Sequence, residues 1–183
     1  MPIGVTRVGL RTSSLDCNSP TWRRSRSTRP AAVRIKPRQG PKKSGPQSIG
    51  ITRGGPNTKI HALCDALGNP LRFVLSPGQD HDSKFVKPLL KDIPAKALLA
   101  DKAYDADAII AHLQDKEIEP VIPSRANRKN PRTLDKDRYK ARHLVENLFQ
   151  RMKVFRRVAS RFDKLDERYL GFIYIAACMK WLH

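Results

Sequence analysis

Four side chains between Tyr139 and Lys153 could do chemistry together. On a helix turning about 100° per residue, Tyr139, Arg142, Glu146 and Lys153 fall in a sector roughly 60° wide. One carboxylate is thereby flanked by a phenol, a guanidinium and an ammonium. A carboxylate can hold a hard divalent cation, and the cations beside it can hold phosphate oxygens. Together these are the components of metal-assisted phosphoryl transfer. The same spacing also suits a solvated i,i+4 link between Arg142 and Glu146, which contributes a few tenths of a kcal/mol.

A second carboxylate with a claim to chemistry is Asp101. It follows Ala97 to Ala100, a short apolar run of the kind expected for a buried central strand. Open α/β sheets place their ligands just beyond such strand ends, and Lys102 stands beside it. The alternative is an acid that starts a turn. Gln79-Asp80-His81-Asp82 has ligand types but too few for a complete metal site; Asp82 is expected to cap the following helix.

The elements that must carry these residues follow from periodicity. Residues 58–64 and 71–75 alternate around Asp65-Ala66-Leu67-Gly68-Asn69, which predicts a hairpin. A helix is expected over 83–90, with Phe85, Val86, Leu89 and Leu90 inward. Another is expected over 106–116, capped by Asp105, with Ile109, Ile110 and Leu113 inward. Residues 119–123 read as a short strand, and the basic, Pro-broken stretch 124–138 as a mobile loop. One long helix is expected over 136–157, its apolar stripe being Leu144, Val145, Leu148, Phe149, Met152 and Phe155. A last helix over 167–182 should bury Leu170, Ile173, Tyr174, Ala177 and Trp181. This order predicts an α/β class with a mixed sheet covered by helices.

Composition narrows the partners. The 183 residues carry a net charge of +19, which favours a polyanion and first of all nucleic acid. Residues 1–60 hold 13 Lys and Arg against a single acid, and residues 61–183 hold 23 against 16, so both parts are basic. Residues 1–48, with six of the 14 Pro and no apolar period, read as a disordered basic segment; residues 49–183 read as the folded part. Cys17, Cys64 and Cys178 match neither a zinc spacing nor a disulfide framework, which fits a reducing cytoplasm. No apolar run reaches membrane-spanning length, so no membrane partner is expected.

The order Tyr139, Arg142, Glu146, Lys153 resembles the signature of insertion-sequence transposases of the DDE type. More narrowly, it is similar to the bacterial group of insertion sequences numbered four and five. Thr52-Arg53-Gly54-Gly55, Thr58 to Leu63, Leu99 to Asp105 and Ile122-Pro123-Ser124-Arg125 occur in the order that group shows. The resemblance begins near Gly40. It implies a ribonuclease-H-like fold, incomplete at its amino-terminal edge, and metal-dependent cleavage and strand transfer of DNA. It further implies two Mg²⁺ ions, with Mn²⁺ as a substitute, held by carboxylates of which Asp101 and Glu146 match the second and third. Arg142, Lys153, Tyr139 and Lys102 would contact DNA, with Arg53, Lys59 and His61 as weaker candidates. The implied partners are the element's ends and target DNA, the active form a homo-oligomer, and the setting the bacterial cytoplasm at the nucleoid.

The first acid of the implied triad is the departure. Residues 17–64 contain no Asp or Glu, and Asp16 is followed by Cys17-Asn18-Ser19-Pro20, a poor central strand. A reading-frame change or truncation upstream of about residue 40 would explain this. Two functions stay open on the resemblance: an active transposase, or a DNA-binding remnant without catalysis. An unrelated basic RNA-binding protein is the third reading.

Overall fold

The computed structural model describes residues 44–53 and 55–182, the side chain of Lys180 excepted. Most of the basic segment expected over 1–48 therefore lies outside the described residues. Its last few residues do not fit the expectation. The Asp166 N–H donates to the Pro46 carbonyl, and Thr58 Oγ1 donates to the Ser48 carbonyl at 2.7 Å, so ordered packing begins before residue 48.

The described chain is a mixed α/β structure. Its strands are β1 (Gly50–Thr52), β2 (Gly55–Cys64), β3 (Pro70–Pro77), β4 (Ala97–Leu99) and β5 (Glu119–Val121). Its helices are α1 (Val86–Leu90), α2 (Asp107–Asp115), α3 (Lys136–Lys140), α4 (His143–Met152), α5 (Arg156–Ala159) and α6 (Asp166–Trp181). The strands form a three-stranded sheet in the order β1-β2-β3 and a separate parallel pair, β4-β5. Two compact units share these elements: residues 61–74 and 81–149 form one, and residues 44–60, 75–80 and 150–182 the other.

The first unit holds Asp101, Tyr139, Arg142 and Glu146. The expected hairpin is present: Asp65 Oδ1 accepts from the Leu67 and Asn69 backbone N–H groups and closes the turn between β2 and β3. Leu98 and Ala100 point into a cluster with Leu63, Val86, Leu89, Tyr104, Ile110 and Leu113. Ala97 and Leu99, on the opposite face of β4, pack with Val121, Leu134, Tyr139 and Ala141. A strand buried on both faces needs an unbroken apolar run, which is what residues 97–100 supply. The two packings fix β4 between its own helices and α3. Asp101 and Tyr139 are set from that one strand.

Two expectations about helices require correction. The segment after the hairpin begins as a 3-10 turn, Asp82–Phe85, and becomes α1 only at Val86. Its cap is His81, whose Nδ1 accepts from the Ser83 N–H, and not Asp82. The long helix expected over 136–157 is three shorter ones. Backbone bonds from Arg142 to the Tyr139 carbonyl and from Val145 to the Arg142 carbonyl span three residues, tightening the chain between α3 and α4. Val145, Leu148, Phe149 and Met152 form the buried stripe as expected, while Phe155 lies past α4 and is exposed.

The second unit is held by a buried polar network. The Arg161 guanidinium donates to Thr58 Oγ1 at 2.6 Å, to Asp166 Oδ1 at 2.8 Å and to the Lys164 carbonyl at 2.8 Å. The inward face of α6 is Tyr169, Ile173, Ala176 and Ala177; Tyr174 and Trp181, expected inside, are exposed. Apolar residues occupy every side of this helix, so periodicity could not choose a face. The Tyr169 hydroxyl does: it donates to the Val158 carbonyl at 2.8 Å.

Candidate functional site

Asp101 sits where β4 ends. Its Oδ1 accepts from the Lys102 N–H at 2.7 Å and caps the 3-10 turn Lys102–Tyr104. The turn-starting role and a ligand role are therefore compatible, because that bond engages one oxygen of the two. Asp101 is half-buried and Lys102 is exposed beside it. Both line an open cleft of about 330 Å³ with Ala103, Arg125 and Ala126.

Tyr139, Arg142 and Glu146 come together across the α3–α4 junction. Asp135 starts α3 by accepting from the Asp137 and Arg138 N–H groups at 3.0 Å each. Arg142 then lies over the Tyr139 ring, 5.7 Å from its centroid. The same guanidinium reaches Glu146 Oε1 at 2.9 Å, and both side chains are only about a quarter exposed (25% and 24%). A pair so enclosed is screened less than the open surface link its spacing also allowed.

The Tyr139 phenol feels the charge of both acids. Burial pushes its pKa up, and the Arg142 guanidinium opposes this. The negative charges of both Asp101 and Glu146 push it up further. Two carboxylates 45 positions apart in the chain thus act on one hydroxyl. Their oxygens are the hard donors that Mg²⁺ takes, and Mg²⁺ keeps several waters, so a pair can hold it. The donor chemistry of Asp101 and Glu146 suits such an ion. Among the described residues, no three His, Cys, Asp or Glu side chains form a ready-made metal cage.

Asp105 was expected to cap α2. Instead Ala106 holds that position without a side-chain bond. The Asp105 carboxylate is buried, with Arg128 Nη1 and Arg132 Nη2 each 2.6 Å from Oδ1 and the Arg125 N–H donating to Oδ2 at 2.8 Å. A buried charge must be paired, and three donors from one loop do this better than a helix end. The loop expected to be mobile is therefore pinned beside the Asp101 turn. Arg125 gains a fixed place there, its guanidinium donating to the Ala103 carbonyl at 3.0 Å. Sequence reasoning left Arg125 out of the site although it closes the Ile122-Pro123-Ser124-Arg125 segment; only the Asp105 pairing shows why it borders the cleft.

The weaker DNA candidates fare differently. His61 is fully buried and stacks on Phe85, ring centroids 4.4 Å apart, so it cannot touch a polyanion. Lys59 Nζ donates to the Asp80 carbonyl at 2.8 Å, an internal tie within the second unit. Arg53 is exposed. Lys153 follows α4 by one residue, is exposed, and belongs to the second unit.

Comparison with known proteins places these motifs. The family described as the transposase DDE domain matches residues 33–180. A Brucella ovis protein, described as a candidate transposase for insertion sequence element IS6501, is 35% identical over 127 residues, covering 68% of this chain and 98% of its own length. A Burkholderia cepacia protein, the candidate transposase for IS402, is 29% identical over 154 residues, 78% of this chain and 70% of its own. The transposase for IS1106 of Neisseria meningitidis serogroup B is 29% identical over 125 residues, 65% of this chain and 41% of its own.

Proposed function

This chain belongs to the transposase DDE-domain family, and we propose that the Asp101–Tyr139–Glu146 cluster is where it cleaves and joins DNA phosphodiesters with a divalent metal. The domain would then be a ribonuclease-H-like one. The observation that carries this reading is the Tyr139 phenol, on which the charges of Asp101 and Glu146 both act.

The bound ion, Mg²⁺ or Mn²⁺, would supply the Lewis-acid chemistry that activates a nucleophile and stabilises a leaving oxygen. The protein's own residues do the rest. Asp101 and Glu146 offer hard oxygens. Arg142 holds Glu146 in place by the 2.9 Å contact and braces the Tyr139 ring. Lys102 and Arg125 border the cleft beside Asp101 and are placed to bind the backbone of a DNA strand. Lys153 and Arg53, both exposed, add to the basic surface. Element ends and target DNA are the substrates this assigns, and a homo-oligomer is the active form.

The test is Mg²⁺- or Mn²⁺-dependent nicking of DNA carrying the element's ends. Loss of outer-shell partners at metal sites costs about 10–100-fold, so Asp101→Ala and Glu146→Gln, which remove direct oxygens, should cost at least about 100-fold. Nicking that survives Asp101→Ala would overturn the assignment.

One observation favours a second reading, a DNA-binding remnant without catalysis: residues 17–64 contain no Asp or Glu. DNA binding at wild-type strength with no metal-dependent nicking would decide for it.

A further inference from the structure

α6 carries apolar residues on every side, yet only one side is buried. Tyr169, Ile173, Ala176 and Ala177 face inward. On a helix turning about 100° per residue, Gly171, Tyr174, Ile175, Cys178, Met179 and Leu182 fall in a sector roughly 140° wide, centred opposite that inward face. All six are exposed. A helix that is apolar all round is one that something covers all round. We propose that this outer stripe seats a second copy of the chain, whose α6 packs on it antiparallel about a two-fold axis.

Three observations select that occupant. The first is register. In one antiparallel alignment Gly171 faces Leu182, Tyr174 faces Met179 and Ile175 faces Cys178, so the stripe is complementary to itself. The residue without a side chain meets the most exposed large one of the stripe, and a thioether meets an aromatic ring. The second is Gly171 itself. A glycine inside a helix weakens it. Apart from the helix's own backbone, no atom among the described residues lies within 4 Å of a Cβ placed there. Packing within the described chain does not require this gap; a leucine arriving from outside does. The third is area. Exposure along the stripe runs from 41% at Met179 to 76% at Leu182, with Trp181 at its margin. Taking roughly 200 Å² for each large side chain, about 550 Å² stands open per copy. A pair would bury about 1100 Å², past the roughly 1000 Å² that a specific interface needs. Glu167 and Arg168, exposed at the start of α6, precede Gly171 and lie beyond the overlap, so neither charge is buried.

The homo-oligomer of the functional reading gains a surface here. Association through α6 needs neither metal nor DNA, so its failure would leave the Asp101–Glu146 cluster standing.

Sedimentation velocity of the full chain, nuclease-treated and at high salt, tests it. Salt screens the repulsion between copies of charge +19. A concentration-dependent dimer is expected. Ile175→Lys puts a charge at the centre of the stripe and should raise the dimer Kd about 30-fold or more. Val154→Lys, at an exposed position outside α6, should leave it unchanged. Gly171→Leu fills the gap and should also weaken the dimer, while raising the melting temperature of the dilute chain. Ile175→Cys should give, on mild oxidation with diamide, a disulfide-linked dimer that is lost when Cys178→Ser is added. That link needs no buried charge, and it decides the matter if circular dichroism shows that Ile175→Lys does not fold. A chain monomeric at every concentration overturns the proposal, and a stability change in monomeric Ile175→Lys would then assign the face to another segment of the same chain. A dimer indifferent to Ile175→Lys and Gly171→Leu overturns it too, as does a dimer without the Cys178-dependent link.

Discussion

Asp105 and Tyr139 show how a neighbour far along the chain resets a side chain. For Asp105, burial pushes the pKa up, but the Arg125 N–H, the Arg132 guanidinium and the charge of Arg128 more than offset it. The carboxyl is held below its ordinary value of 3.8. A depressed folded-state pKa stabilises the fold above the unfolded value and loses that contribution as pH falls through the folded one. Asp105→Asn should therefore cost about 3 kcal/mol near neutral pH, the lower end for breaking a buried pair because both arginines keep some solvent contact. The gap between the two proteins should close as pH drops below about 4; urea unfolding at several pH values reads it. Tyr139 offers the converse test. Asp101→Asn or Glu146→Gln removes a negative charge that disfavours the phenolate, so the Tyr139 pKa should fall in either variant. Following the ring by NMR through a pH titration measures it. No change in either would separate the carboxylates from the phenol and remove the support for a shared site.

Among the elements, α2 ends in a conformation its sequence does not advertise. Glu117 has φ +56°, and the Ile118 N–H donates to the Leu113 carbonyl at 2.8 Å, closing the helix as a left-handed cap. This conformation costs a side-chain-bearing residue roughly 1–2 kcal/mol, and Gly gives back part of that through its unfolded-state entropy. Glu117→Gly, exposed and clear of the cleft, should raise stability by about 0.5–1 kcal/mol. A thermal or denaturant midpoint shift in the opposite direction would refute the strain. The α3–α4 junction makes a related point. Periodicity put Tyr139, Arg142 and Glu146, together with Lys153, on one edge of a continuous helix, and Lys153 lies past the end of α4. The break at residues 141–142 keeps the first three together by tighter three-residue bonds.

For the molecule as a whole, the quantity that matters is charge. A chain of net charge +19 binding DNA displaces counterions from the phosphates it neutralises. Contact with about six phosphates predicts a loss of affinity of roughly 1000-fold between 50 and 200 mM salt. Fluorescence anisotropy with a labelled duplex tests this, and a flat salt dependence would argue against phosphate contact as the main source of binding. Among the described residues no helix is long and apolar enough to cross a membrane.

Sequence alone was enough for what depends on local pattern. The apolar run 97–100 read as a buried strand, and Asp65–Asn69 read as a chain reversal, and both are present. The ordered motifs from Thr52 to Lys153 carried the family. What it could not supply was any choice that depends on partners distant in the chain. Asp105 turned from cap to ion pair because Arg128 and Arg132 arrive from another segment. Asp82 lost its capping role to His81, and α6 took its inward face from one tyrosine hydroxyl. A cap or an exposed pair, the local signals at these positions, contributes only about 1 kcal/mol. A buried charge or hydroxyl that must find a partner weighs more than that and made the choice.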